Sequence, residues 1–341
     1  MDWVRRVMLW VGILLVVAIA AAYLLPGHVR IERSVTIAAP RATLFTVLNS
    51  FKHFNTWSPW FELDPDAKYT YDGPGAGVGA KLSWVGDPKT LGSGNQVITA
   101  SDPYERIAAD VDFGQGGQPA RQVYTLAADG TGTKVSWSME VDLGMNPVAR
   151  YFALGFDGMI ARDFDKGLAL LKTFAEGLPK ADFAGLEIEA ASVDPALVAY
   201  VSTASSRDDA AIAAAIAKAY GEVGAFMKAQ RLTQAGAPIT IDTGSSGTGY
   251  LFDAAIPVDR MPVNPVPPDS RVQVKQTYGG KVLRVALRGS YSQIPATYDR
   301  IVAYIAAHGM ETNGNSWDEF ANDPATVKES EVLTNIYFPI K

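Results

Sequence analysis

The chain has 341 residues, 48% of them hydrophobic, with 36 acidic side chains against 30 Lys and Arg and no cysteine. A net charge of −6 argues against nucleic acid, whose binding needs clustered Lys and Arg. The absence of thiols excludes disulfide frameworks, thiolate metal sites and cysteine nucleophiles.

Val7 to Leu25, VMLWVGILLVVAIAAAYLL, carries no charge. As a helix it rises about 28 Å, the thickness of a bilayer's hydrocarbon core. The run is long for a signal-peptide core and continues past the small-residue sites around Ala18, Ala20 and Ala22, so it predicts an uncleaved anchor, with a cleaved signal peptide as the competing reading. Trp3, Trp10 and Tyr23 stand where interfacial aromatics belong. Arg5 and Arg6 favour a cytoplasmic N-terminus, which predicts a single-pass inner-membrane protein with its soluble domains on the periplasmic side. The roughly 315 residues that follow suffice for two domains.

Pro26 and Gly27 end the helix, and VRIERSVTI alternates as a strand up to Ile37. Pro40 opens a helical stretch, RATLFTVLNSF. Phe54, Trp57, Trp60 and Phe61 then place four aromatics in eight residues. Between Tyr69 and Asp142, short alternating runs such as KLSWV, QVITA, QVYTLAA and KVSWSMEV are separated by Gly, Pro and Asp, which predicts an antiparallel meander. From Pro147 to Glu176, Leu154, Phe156, Ile160, Phe164, Leu168, Leu171 and Phe174 recur at helical spacing, in a helix long enough to close over one sheet face.

This order, with Ile37-Ala-Ala-Pro40, Trp57-Ser-Pro-Trp60 and Gly167-Leu168, resembles the SRPBCC family, the START-like or polyketide-cyclase-like helix-grip fold, over residues 29 to 178. The resemblance implies an apolar cavity between sheet and long helix, where lipids, aromatic polyketides or hormones bind. Phe54, Trp57, Trp60, Trp84 and Trp137 are the candidate lining, with ordinary core packing as the alternative reading and Trp57 and Trp60 as candidates for the rim.

Residues 179 to 185 read as a linker before a second domain, residues 186 to 341. Within it AYGEVGAFMKAQ, from Ala219, matches TYDRIVAYIAAH, from Thr297, and pairs Tyr220 with Tyr298. Each copy lies between strands, which predicts a pseudo-symmetric sheet. Arg288-Gly-Ser-Tyr291, Trp317-Asp-Glu-Phe-Ala-Asn-Asp-Pro324 and Leu333-Thr-Asn-Ile-Tyr-Phe-Pro-Ile340 resemble the GyrI-like, effector-binding domain. That resemblance implies a groove for amphipathic, often cationic aromatic compounds, and in some members hydrolase chemistry. The chain departs from the family pattern in having Asn335 in place of a glutamate, and Asp318 and Phe320 in place of Glu and Tyr.

In strand geometry Asp318 and Phe320 share one face, and Trp317 and Glu319 the other. If the first pair lines the groove, one carboxylate stands against an aromatic wall suited to a cation. Trp317, Asn335, Tyr337, Tyr291 and Tyr250 complete the candidate set, and a solvated edge-strand role for Asp318 is the plain alternative. The glycine run from Gly73 to Gly79 leads into an alternating strand, so it reads as a turn and no phosphate loop. His28, His53 and His308 are scattered, which leaves no metal site, triad or cofactor to expect.

The expected protein is α+β: a helix-grip START-like domain and a pseudo-symmetric GyrI-like effector-binding domain behind one transmembrane helix. Its expected role is to bind or sense a hydrophobic or amphipathic small molecule, with the membrane contacted through residues 7 to 25. A hydrolase or cyclase using Asp318 or Glu319 as general acid or base is the rival. A module whose interior is filled by its own aromatics is the third reading.

Overall fold

The computed structural model describes residues 2–114, 119–247 and 249–341. The side chains of Asp2, Phe152, Ala153, Gly155, Phe156, Asp157 and Met159 lie outside that description, and with them the expected core role of Phe156. Two compact units are present, Met1–Phe183 with Ala306–Gly309, and Ala184–Ile305 with Met310–Lys341.

The first unit begins with α1 (Asp2–Ala22), in which Trp3–Ala22 holds an 18-residue stretch of mean hydropathy 2.1 with no buried residue. The helix stops three residues before the apolar run does, and backbone turns carry Tyr23 to Leu25 toward Pro26, which cannot continue a helix. There follow β1 (His28–Ile37), α2 (Arg41–Leu48), α3 (Phe54–Trp57), β2 (Lys68–Asp72), β3 (Lys81–Val85), β4 (Ser93–Asp102), β5 (Arg106–Asp112), β6 (Ala120–Asp129), β7 (Gly132–Asp142) and α4 (Pro147–Glu176). Among the described residues the strands form one antiparallel sheet in the order β1-β7-β6-β5-β4-β3-β2, a meander closed by the return of β1. The helix expected up to Phe51 ends at Leu48, where Asn49 leaves helical geometry.

The α4 helix starts where its sequence supplies a cap. The Asn146 side chain accepts from the backbone N–H of Val148 and Ala149, at 3.0 and 3.1 Å, and Pro147 takes the first helical position, where no N–H is needed. Its buried residues Phe164, Leu168 and Leu171 face the sheet. Gly167 belongs at the closest approach, because a Cβ there would lie 2.7 Å from the Trp137 ring and 3.0 Å from Pro59.

The second unit holds β8 (Glu189–Val193), β9 (Leu197–Ser206), α5 (Asp209–Gln230), β10 (Ile239–Ser246), β11 (Gly249–Pro257), β12 (Gln273–Gln276), β13 (Gly280–Arg288), α6 (Ile294–Ala307), β14 (Trp317–Phe320) and β15 (Leu333–Pro339). Its sheet runs β12-β9-β11-β10-β14-β15-β13-β8 among the described residues. This order is a repeat: β9, α5, β10 and β11 correspond to β13, α6, β14 and β15, and the halves meet where β10 pairs with β14. One sheet face carries both helices. Val201, Phe252 and Ala254 pack on Ala219 and Val223 of α5, and Val285, Ile336 and Phe338 pack on Ile301 and Ile305 of α6.

Candidate functional site

Asp318 lies in the middle of the second sheet. β14 is flanked by β10 and β15, so Asp318 is no edge-strand acid, and it is only 6% exposed. Its register partners are Thr240 and Ile336, which place it on the helix-covered face. The Tyr298 hydroxyl of α6 donates to one carboxylate oxygen at 2.9 Å, and the Thr240 hydroxyl reaches the other at 3.5 Å, the limit of a hydrogen bond.

Burial pushes the Asp318 carboxyl up to about 7, and the nearby Asp242 adds to the rise, while the Tyr298 and Thr240 hydroxyls oppose it. Burial first, and the charge of Asp318 second, raise the phenols of Tyr220, Tyr250 and Tyr298 above their usual value. Among the described residues Asp318 forms no ion pair, and no cation contributes to its shift. Tyr291 is 38% exposed and sets its ring edge-on to Phe320, with centroids 5.4 Å apart.

A second buried carboxylate in this unit has the opposite surroundings. Asp253 of β11, 4% exposed, accepts from the Ser202 hydroxyl at 2.6 Å and pairs with the Lys275 ammonium, which also stands 4.4 Å from the Tyr200 ring centre. Its charge is balanced within the fold.

On the sheet face opposite Asp318, Trp317 stacks on Tyr337, with centroids 4.9 Å apart and planes within 13°. Glu319 accepts from the Asn335 amide at 2.7 Å and from the Tyr337 hydroxyl at 3.1 Å, and the Arg284 guanidinium donates to the Asn335 carbonyl oxygen at 3.0 Å. Asn335 is therefore the centre of a polar network. Burial, then the Glu319 carboxylate, pushes the Tyr337 phenol up to about 12.

In the first unit, Trp137 stacks on Phe164 with ring centres 4.0 Å apart, and meets Trp57, Trp60 and Tyr124 at 5.3 to 6.0 Å. The void bounded by Leu48, Phe51, Phe54, Trp57, Gln122 and Tyr124 is about 10 Å³, room for a single water molecule. At this point the aromatics fill the space where an open cavity was expected. Among the described residues, the Tyr124 hydroxyl, the Trp57 and Trp137 indole N–H groups and the Gln96 amide nitrogen are buried in this unit without a hydrogen-bond partner.

The chain matches the family described as polyketide cyclase, dehydrase and lipid transport over residues 28–176, and the family described as a GyrI-like small-molecule-binding domain over residues 205–341. The chain joins an SRPBCC domain to a GyrI-like domain. Among solved structures, the EcmrR C-terminal domain is 13% identical and covers 46% of this chain and 98% of its own, with a TM-score of 0.41. The Aha1 dimer from Colwellia psychrerythraea is 14% identical over 44% of this chain and 97% of its own, with a TM-score of 0.33. Protein CV1439 from Chromobacterium violaceum is 16% identical over 44% and 99%, with a TM-score of 0.32. No curated protein matches the chain.

The candidate residues of the GyrI-like domain fall into two groups. Asp318, Phe320, Tyr291 and Tyr250 lie on the helix-covered side, and Trp317, Asn335 and Tyr337 surround Glu319 on the other. Three residues beside Asp318 were absent from the sequence-based set: Tyr298, Tyr220 and Thr240. The internal repeat aligns the two tyrosines and was the available signal. Thr240 carried none, because its approach to Asp318 depends on the β10–β14 pairing.

In the SRPBCC domain Trp57 is 2% exposed and belongs to the interior, not to a rim. Trp60 is half-buried, and its indole N–H donates to Asp163 at 3.3 Å. Phe54 is buried against Trp57, while Trp84 stands apart beside Phe113.

Proposed function

We propose that this protein is a membrane-anchored receptor for amphipathic small molecules, and that its GyrI-like domain binds an organic cation at Asp318. One observation carries the reading. Asp318 is a buried carboxylate with no cation of its own, set among Tyr298, Tyr220 and Tyr250 with Phe320 and Tyr291 beside them, whereas the equally buried Asp253 has Lys275. An uncompensated buried charge is costly, and aromatic ring faces attract a desolvated cation. An organic cation would supply what the fold leaves out. The SRPBCC domain is the second binding module, taking a lipophilic molecule once its interior aromatics move apart, and α1 holds both domains at the membrane.

The test is titration of the full-length protein with an aromatic quaternary ammonium compound, followed by calorimetry. Asp318→Asn should weaken binding at least about tenfold, since it removes a charge–charge contact from a low-dielectric site. Equal affinity in the variant would overturn the site assignment.

A hydrolase remains the second reading, favoured by the Asp318 carboxyl titrating at about 7, where a general acid or base works best. Turnover of an ester or strained-ring compound that disappears in Asp318→Asn would select it over plain binding.

A further inference from the structure

Where α4 begins, four large apolar side chains stand open to solvent: Met145 at 72%, Val148 at 59%, Tyr151 at 41% and Leu154 at 67% exposure. Val148, Tyr151 and Leu154 recur every third residue, which confines them to about 120° of the helix surface. The rest of α4 does not repeat this, since Phe164, Leu168 and Leu171 are buried against the sheet. Among the described residues this exposed face is confined to the helix's first two turns and to Met145, two residues before them.

The same turns are bonded to the end of α1. The Tyr151 hydroxyl donates to the Ala18 carbonyl at 2.7 Å, the Tyr23 hydroxyl to the Met145 carbonyl at 3.3 Å, and the Arg150 guanidinium to the Leu25 carbonyl at 3.2 Å. That guanidinium also stands 5.4 Å from the Tyr23 ring centre. Ala18 lies four residues, about 6 Å, inside the end of α1. With α1 across a bilayer, the Tyr151 hydroxyl is carried to the edge of the hydrocarbon, and the apolar face next to it reaches the same depth.

We propose that the first turns of α4, through Met145, Val148, Tyr151 and Leu154, lie in the lipid–water interface beside α1, so that the long helix of the SRPBCC domain is itself docked on the membrane. The occupant of this face is the boundary between headgroups and acyl chains, where an apolar helix face beside tyrosine and arginine is stable. Continuity with α1 selects lipid over a protein partner. The proposal rests on the anchor reading above. It adds a fixed orientation of the SRPBCC domain on the bilayer.

The chain has no cysteine, so single reporters can be placed cleanly. The full-length protein in lipid vesicles would carry an environment-sensitive fluorophore at Val148→Cys or Leu154→Cys, at Trp10→Cys within α1, or at Lys134→Cys. Lys134 pairs with Thr36 near the far end of β1, about 26 Å along the strand from His28. Lipids bearing nitroxides near the headgroup should quench positions 148 and 154 at least about threefold more than position 134, with acyl-chain nitroxides quenching position 10. Quenching at 10 but not at 148 and 154 would overturn the docking and leave the anchor standing. No quenching at position 10 would overturn both. Disulfide-linked dimers through 148 or 154, without quenching, would assign the face to a second copy of the chain and also overturn the proposal.

Discussion

The interiors of the two domains solve the problem of buried polarity in opposite ways. The SRPBCC domain encloses hydrogen-bond donors in an uncharged aromatic core: Trp57, Trp137, Tyr124 and Gln96. The GyrI-like domain encloses an acceptor, the Asp318 carboxylate, among phenols that donate to it or stand near it. The first holds a void of only about 10 Å³ beside Trp57 and Tyr124, and the packing of its aromatics supplies stability through contact area. The second keeps a group whose charge costs energy at neutral pH. Polarity concentrated against packing is why the proposed site is placed in the second.

Four substitutions would break or sharpen that contrast. The largest effect is expected from Trp137→Ala, which removes a fully buried side chain stacked on Phe164 and should cost about 3–5 kcal/mol, seen as a loss of the first domain's cooperative melting transition. A small shift would mean that the core is loosely packed and already poised to open.

Asp318→Asn should act in the opposite direction. The folded carboxyl titrates at about 7 instead of 3.8, so the folded state holds its proton more tightly than the unfolded chain does. The penalty is absent at low pH, grows as pH rises between these values, and is complete above about 7. The variant should therefore be more stable than the native chain at pH 8, by on the order of 4 kcal/mol at most, and little different near pH 4. A melting temperature that does not move at pH 8 would show that Asp318 is solvated. For the native protein, cation affinity should rise with pH up to about 7 and then level off, because only the ionised form attracts the ligand.

Gly167→Ala should cost about 1–3 kcal/mol despite the better helix propensity of alanine, since the new methyl group meets the Trp137 ring. Chemical denaturation of the first domain measures it, and a stabilised variant would refute the close approach. Tyr298→Phe is expected to be mildest, about 1 kcal/mol, and its diagnostic effect is on pH. Losing a hydrogen bond that holds the Asp318 carboxyl down should move the rise of cation affinity to higher pH. An unchanged pH profile would separate Tyr298 from the site.

Much of the fold was legible because its signals are local. The α4 helix occupies Pro147–Glu176 as its periodicity predicts, and the alternating runs become the meander. The Tyr220 and Tyr298 repeat corresponds to equivalent strand–helix units on either side of the β10–β14 pair. The candidate site was legible in part. Alternation along β14 put Asp318 and Phe320 together, but nothing in WDEF indicated which side the helices cover.

By itself the sequence determined the α+β class, the apolar N-terminal helix, and most of the first domain's elements with their order, because capping, periodicity and turn chemistry act over a few residues. Tertiary structure alone decided that Asp318 meets Tyr298 and Thr240 while Asp253 meets Lys275, that Trp57 is core, and that the exposed start of α4 lies against the end of α1. These facts depend on which strand pairs with which and on which face a helix closes. Those choices are made by burial summed over the whole domain, and the partners lie up to 133 residues apart in the chain.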